Sequence, residues 1–185
     1  MSNILYIGWF GLPETAAGIR VFQIAKLLRE SGNNVAFLCL SQPGLKENQE
    51  IQYDGFKYIR KRQFESRVKN VVNIFCGVYD LKVIKEIIEI EKPDTVIVYN
   101  DKERLTSQIV SFCHKRGISV GADVTEWYEI SRSRKWDRIV AKNVDYRIRK
   151  MDKKPDYILS ISPYFTAYYK SIGCKNVIEI PPIMD

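Results

Sequence analysis

The stretch Asp123-Val124-Thr125-Glu126-Trp127-Tyr128-Glu129 gathers the side chains best suited to chemistry in this sequence. Three carboxylates, a Trp and a Tyr within one short segment make a sugar-like combination. Carboxylates accept hydroxyl hydrogens, and aromatic faces stack on the C–H surfaces of pyranose rings. Asp123 or Glu126 also suits the role of a base, or of a group that stabilises a developing cation. The same residues fit a second description, a helix start with acids in its first turn and a packed Trp127. The segment alone does not choose between them.

A second set of candidates lies near the N-terminus. The run Gly8-Trp9-Phe10-Gly11-Leu12-Pro13-Glu14-Thr15-Ala16-Ala17-Gly18 is a glycine-bearing loop between an apolar strand and an amphipathic helix. Gly18 would let backbone approach a ligand at the helix start, and Arg20, one turn in, would meet an anion. An ordinary loop that uses glycine for turn geometry fits equally well. The spacing of Gly8, Gly11 and Gly18 is not GxGxxG, no acidic residue ends the next strand, and no Gly-Lys-Ser/Thr occurs. Dinucleotide-fingerprint and P-loop readings are therefore set aside. A third candidate is Ser162, followed by Pro163. This pair reads first as an N-cap with proline at the first helical position, with ligand contact as an addition.

The elements that must position these residues alternate strictly. Strands are expected over 4–7, 35–40, 56–59, 95–99, 118–122, 157–161 and 177–180. Helices are expected over 19–30, 79–91, 104–116, 134–151 and 163–172. Residues 41–50 read as a polar loop, 64–76 as helix or loop, and 123–130 as a loop. Asp54-Gly55 is a turn signal before the strand at 56. In the helix over 134–151, Trp136, Val140, Val144, Ile148 and Met151 form an apolar stripe expected to face the core. Such βα alternation argues an α/β fold: a Rossmann-like open parallel sheet with helices on both faces, in three layers. In such sheets a crevice opens at the C-terminal edge of the first strand, against a helix N-terminus.

Bulk properties exclude several classes. The 185 residues suit one domain. No apolar run approaches the roughly 18 residues needed to span a bilayer. The short run after Asn3 lacks the basic flank of a signal peptide, so a cytoplasmic location is expected. Cys39, Cys76, Cys113 and Cys174 are scattered and form no metal-like cluster, which points to reduced structural thiols. His114 is the only histidine, and beside Lys115 and Arg116 it reads as a surface residue. The net charge of +7 is concentrated: residues 131–154 carry ten Lys or Arg against three Asp, and the rest of the chain is balanced. That positive face is either simply solvated or is drawn to anionic lipid head groups or a lipid-phosphate acceptor; a nucleic-acid partner is a third option, which no recognition motif supports. Nucleic acid is therefore not an expected partner.

Taken in order, several segments resemble the N-terminal domain of GT-B-fold glycosyltransferases of the family 4 (group 1) class. They are Pro13 to Gly18 with its helix and SGNNV (31–35), KPDTVIVYN (92–100), ISVGADVTEWYE (118–129), PDYILSISPYF (155–165) and GCKNVIEIPPIMD (173–185). The resemblance implies two Rossmann-like domains facing a cleft, the N-terminal one on the acceptor side. Residues 1–180 would form that domain, and 181–185 would begin a linker to a C-terminal donor-binding domain. By the same resemblance, Ala17, Gly18 and Arg20 approach the donor. Asp123 and Glu126 are the catalytic candidates, and Asn100, Trp127, Tyr128 and Ser162 complete the binding set. Two departures stand out. Ala17-Gly18 replaces a frequent Gly-Gly, and no histidine follows the strand that ends at Ala122.

The activity the resemblance implies is metal-independent, retaining transfer: a hexosyl group passes from a nucleotide-sugar to a glycan or lipid-linked acceptor, without a cofactor. The domain would be inactive alone and at most peripheral at the inner face of a membrane. Alternatives are a nucleotide-sugar epimerase of the same fold and a non-catalytic, split-transferase subunit that binds the acceptor.

Overall fold

The computed structural model describes residues 1–12, 15–42, 45–62, 66, 69, 73, 77–100, 103–128 and 135–183. The strands are β1 (Asn3–Gly8), β2 (Asn34–Gln42), β3 (Gln49–Tyr53), β4 (Phe56–Arg62), β5 (Thr95–Tyr99), β6 (Ser119–Val124), β7 (Tyr157–Ser160) and β8 (Val177–Glu179). The helices are α1 (Ala16–Glu30), α2 (Val78–Glu91), α3 (Glu103–His114), α4 (Lys135–Tyr146) and α5 (Pro163–Ser171), with a π-helical turn, Arg147–Met151, continuing α4. One sheet holds all eight strands in the order β3-β4-β2-β1-β5-β6-β7-β8. Only the β3–β4 pair is antiparallel. The expected Rossmann-like α/β architecture is present.

Sequence type explains the layering. Parallel strands covered on both faces read as continuous apolar runs, and Ile4 to Ile7 are all buried. Alternate residues split between two cores. Tyr6, Phe37, Ile97 and Leu159 pack with Val21, Phe22, Ile24 and Ala25 of α1. Leu5, Ile7, Val96 and Val98 pack on the opposite face with Ile84 and Ile88 of α2 and Leu105 and Ile109 of α3. That second face continues through Ala122, Val124 and Ile158 to Ile148, Phe165 and Tyr169. Strand order reverses between β1 and β5, because the chain steps one way through α1 and the other way through α3. Such a reversal leaves a crevice at the strands' C-terminal ends.

Several expectations change. The segment over 41–50 is not all loop: β2 runs to Gln42 and β3 begins at Gln49. Glu50–Gln52 are exposed, so β3 is a polar edge strand with no apolar run to announce it. Asp54 and Gly55 both have positive φ, 49° and 77°, which is the geometry of a two-residue hairpin turn. Helix α1 starts at Ala16 rather than 19, capped by Thr15, whose hydroxyl accepts from Gly18 N at 2.9 Å. The helix expected over 134–151 changes pitch at Arg147. In its stripe Ile148 is buried and Val144 packs against the same core. The side chains of Trp136, Val140 and Met151 lie outside the described residues, as do Cys76 and most of 64–76. Asp123 and Val124 belong to β6 rather than to a loop.

Candidate functional site

At the sheet's C-terminal edge, a cavity of about 420 Å³ opens beside the first turn of α1. Ala16, Ala17, Ile19 and Arg20 form one side; Tyr99, Thr125 and Glu126 form the second; Ile161, Pro182 and Ile183 close the third. The register explains this gathering. Gly8, Tyr99, Asp123 and Leu159 lie in one row across four strands, so the residues just beyond them share an edge. At Gly8 a Cβ would stand 2.8 Å from Tyr99 Cβ, so glycine there keeps β5 close to β1.

Beneath the cavity lies a buried charged cluster. Arg20 is 5% exposed, and Asp123 and Tyr6 are fully buried. Arg20 Nη2 and Nε donate to Asp123 Oδ1 at 2.9 and 3.1 Å. The Tyr6 hydroxyl donates to Asp123 Oδ2. Arg20 Nη1 donates to the Ile180 carbonyl at 2.7 Å. Burial pushes the Asp123 carboxyl above its ordinary value, against the pull of Arg20 and the Tyr6 hydroxyl. Arg20 thus meets its anion inside the protein, and Asp123 sits behind the cavity wall with its lone pairs engaged.

Among the described residues, Glu126 is the carboxylate that lines the cavity. It accepts from the Tyr128 hydroxyl. Burial first, and Glu126 second, push that phenol up to about 12, so it stays a donor at neutral pH. Asn100 directly follows β5 with φ 40°, a left-handed conformation that Asn tolerates better than most residues. Its side chain is engaged with Thr125 in both directions: Thr125 N donates to Asn100 Oδ1 at 3.1 Å, and Asn100 Nδ2 donates to Thr125 Oγ1.

The remaining candidates have structural partners. Gly18 is buried in the first turn of α1, where a Cβ would collide with the Gly11 carbonyl. Close packing of the loop on the helix requires glycine there. Trp127 packs on Phe165 and Tyr168, with Nε1 donating to Asp145 at 3.0 Å. Ser162 caps α5, accepting from Phe165 N at 3.4 Å, as its sequence context predicts. The cavity therefore unites Ala17, Arg20 and Glu126, while Asp123, Asn100 and Gly18 support it from behind and Trp127, Tyr128 and Ser162 lie outside its lining. Sequence reasoning missed Tyr6, Tyr99 and Thr125. A tyrosine within a buried strand, needing a hydroxyl partner, was the available signal for the first two. Among the described residues, no three His, Cys, Asp or Glu side chains gather to hold a metal ion.

No protein-family model and no curated protein matches this sequence. Solved structures do match its fold. The chain is similar to sucrose-phosphate synthase from Thermosynechococcus elongatus, at 13% identity and a TM-score of 0.64, over 98% of this chain and 48% of that one. It is similar to UDP-N-acetylglucosamine 2-epimerase from Rickettsia bellii, at 13% identity and a TM-score of 0.57, over 98% and 45%. A third is described as trehalose-6-phosphate from E. coli bound with UDP-2-fluoro glucose, at 8% identity and a TM-score of 0.57, over 100% and 49%. The chain thus spans about half the length of these structures. At such identities the likeness shows fold: a Rossmann-like α/β domain of the kind found in GT-B glycosyltransferases and nucleotide-sugar epimerases.

Proposed function

We propose that this domain forms the acceptor-side wall of a family 4 type glycosyltransferase, which passes a hexosyl group from a nucleotide-sugar to a glycan or lipid-linked acceptor, retaining configuration and using no metal. The observation that carries this reading is the cavity at the strand-order reversal, with Glu126 open to it and Asp123 locked beneath it. An epimerase would call for acid and base groups facing the ligand. Asp123 is committed to Arg20, which leaves Glu126 as the one carboxylate lining the cavity among the described residues and supports transfer. The fold neighbours described as bound with, or named for, a UDP-sugar support a nucleotide-sugar as donor.

Incubation of the chain with UDP-glucose or UDP-N-acetylglucosamine, followed by NMR of the sugar, tests the reading. Binding without hydrolysis, epimerisation or transfer is expected, because most donor contacts would come from a second domain. Epimerised UDP-sugar would select the alternative enzyme, and transfer by this chain alone would refute the half-site reading.

We assign the basic face a place in the same reading, as the side turned toward an anionic membrane from the cytoplasm. Arg138, Lys142, Lys150 and Lys153 are exposed, as is Tyr146, and their spacing follows one side of α4 and its π-helical turn. No helix among the described residues is long and apolar enough to cross a membrane.

A further inference from the structure

At the cavity wall, the hydrogen-bond polarity of Asn100 and Thr125 is fixed. A backbone N–H can only donate, so the bond from Thr125 N to Asn100 Oδ1 fixes which way the Asn100 amide points. Nδ2 therefore faces Thr125 Oγ1 as a donor. Arg147 Nη2, at 3.5 Å from Asn100 Oδ1, points toward the same amide oxygen from the π-helical turn. Thr125 Oγ1 accepts from the amide and keeps its own hydrogen. Tyr99 Oη lies 3.2 Å away. These two hydroxyls carry two hydrogens between them, and their mutual contact uses one. The other has no acceptor among the described residues, and both residues line the cavity. Burial raises the Tyr99 pKa, so its hydroxyl keeps its hydrogen at neutral pH.

We propose that the Tyr99–Thr125 pair, set by Asn100, is a sugar-hydroxyl subsite that donates to a ring oxygen substituent while Glu126 accepts that hydroxyl's hydrogen. This assignment rests on the sugar-handling reading above and adds the substrate moiety that the cavity selects. The chemistry around the pair argues for an uncharged sugar over a phosphate. Glu126 repels a phosphate but accepts from a hydroxyl. Arg20, the basic residue among the described lining residues, has its charge engaged by Asp123. Ala16, Ala17, Ile19, Ile161, Pro182 and Ile183 offer apolar surface for the C–H face of a ring. Asn100 is a positioning residue here, since its amide is turned to Thr125 rather than to the cavity.

The pair's shared hydrogen gives the test an unusual signature. Either hydroxyl alone leaves one hydrogen facing the cavity, so the two are redundant. Amide NMR of the chain with UDP-glucose, UDP and inorganic phosphate should show Thr125 and Glu126 shifting with UDP-glucose and not with UDP or phosphate. Tyr99→Phe and Thr125→Val should each weaken UDP-glucose binding by less than about twofold, and the double variant by about tenfold, the size of one neutral hydrogen bond. Thr125→Ser should bind as the unmodified chain does. Asn100→Gly, which keeps the left-handed backbone and loses the amide, should weaken binding by about threefold. UDP-glucose binding with a Thr125 shift but no loss in a folded double variant overturns the subsite and leaves the sugar-handling reading standing. A shift of Thr125 by UDP or phosphate equal to that by UDP-glucose overturns the choice of sugar over phosphate. A chain that binds no UDP-sugar at all overturns both. Should the double variant not fold, the wild-type shift map and Asn100→Gly still decide.

Discussion

The Arg20 guanidinium joins β6 to the segment after β8 inside a dry interior, where an unmatched charge is expensive. Deleting one partner of such a pair costs about 3–5 kcal/mol, because the other is left buried and uncompensated. Arg20→Met should therefore destabilise the fold by that order, and the loss should depend on pH. Asp123 already has its carboxyl pushed up by burial, and Arg20 is the main force opposing the shift. Without Arg20 the folded-state pKa rises further, while the unfolded value stays about 3.9. A carboxyl raised on folding costs nothing when protonated in both states. Its cost appears as pH climbs above the unfolded value and grows until the folded pKa is passed. Urea unfolding of Arg20→Met should accordingly show a small deficit near pH 4 and the full deficit near pH 7. A deficit independent of pH would show that Asp123 is not the group left unpaired. Glu126→Gln, on an exposed residue, should change stability by less than about 0.5 kcal/mol. The Arg20–Asp123 pair was not legible in sequence. The partners are 103 residues apart, and only the register of β1, β5 and β6 brings them together.

Elements were more legible than their ends. Every apolar strand and amphipathic helix expected among the described residues is present, since periodicity reports burial directly. What escaped was set by polar detail. β3 has little apolar character because it is an edge strand, and α1 starts earlier because Thr15 caps it. Gly18 illustrates the difference between a loop and a helix reading. In an exposed helix, Ala would stabilise by about 1 kcal/mol over Gly. Here the new Cβ would strike the Gly11 carbonyl, a backbone atom that cannot rotate away. Overpacking of this kind costs about 1–3 kcal/mol, so the collision outweighs the propensity gain. Gly18→Ala should lower stability, and its amide spectrum should show shifts centred on Gly11 and Thr15. A stabilised Gly18→Ala would mean the loop does not rest on α1 as described. Gly121 makes the same point in the sheet, where a Cβ would enter the ring of Tyr157.

At the scale of the whole molecule, a short chain of contacts links the basic segment to the cavity. Arg149, on the basic face, lies over the Trp127 ring at 5.1 Å, and Trp127 follows directly on Glu126 at the cavity. On the reading proposed above, a membrane docked against α4 would present a lipid-linked acceptor on the side of the cavity. Attraction of basic side chains to an anionic bilayer is worth about 1 kcal/mol per Lys or Arg close to the surface. Reversing Lys142 and Lys150 to Glu removes two attractions and adds two repulsions, so binding should fall by at least about tenfold. Sedimentation with vesicles of phosphatidylcholine and phosphatidylglycerol reads this directly. The chain should pellet at low salt, release as ionic strength shortens the screening length to a few Å, and ignore vesicles of phosphatidylcholine alone. K142E/K150E should remain in the supernatant with its fold intact, since both side chains are exposed. Equal pelleting with neutral vesicles would move the contact from charge to apolar insertion by Tyr146 and Tyr164. No pelleting with either kind would leave the basic face a solvated one.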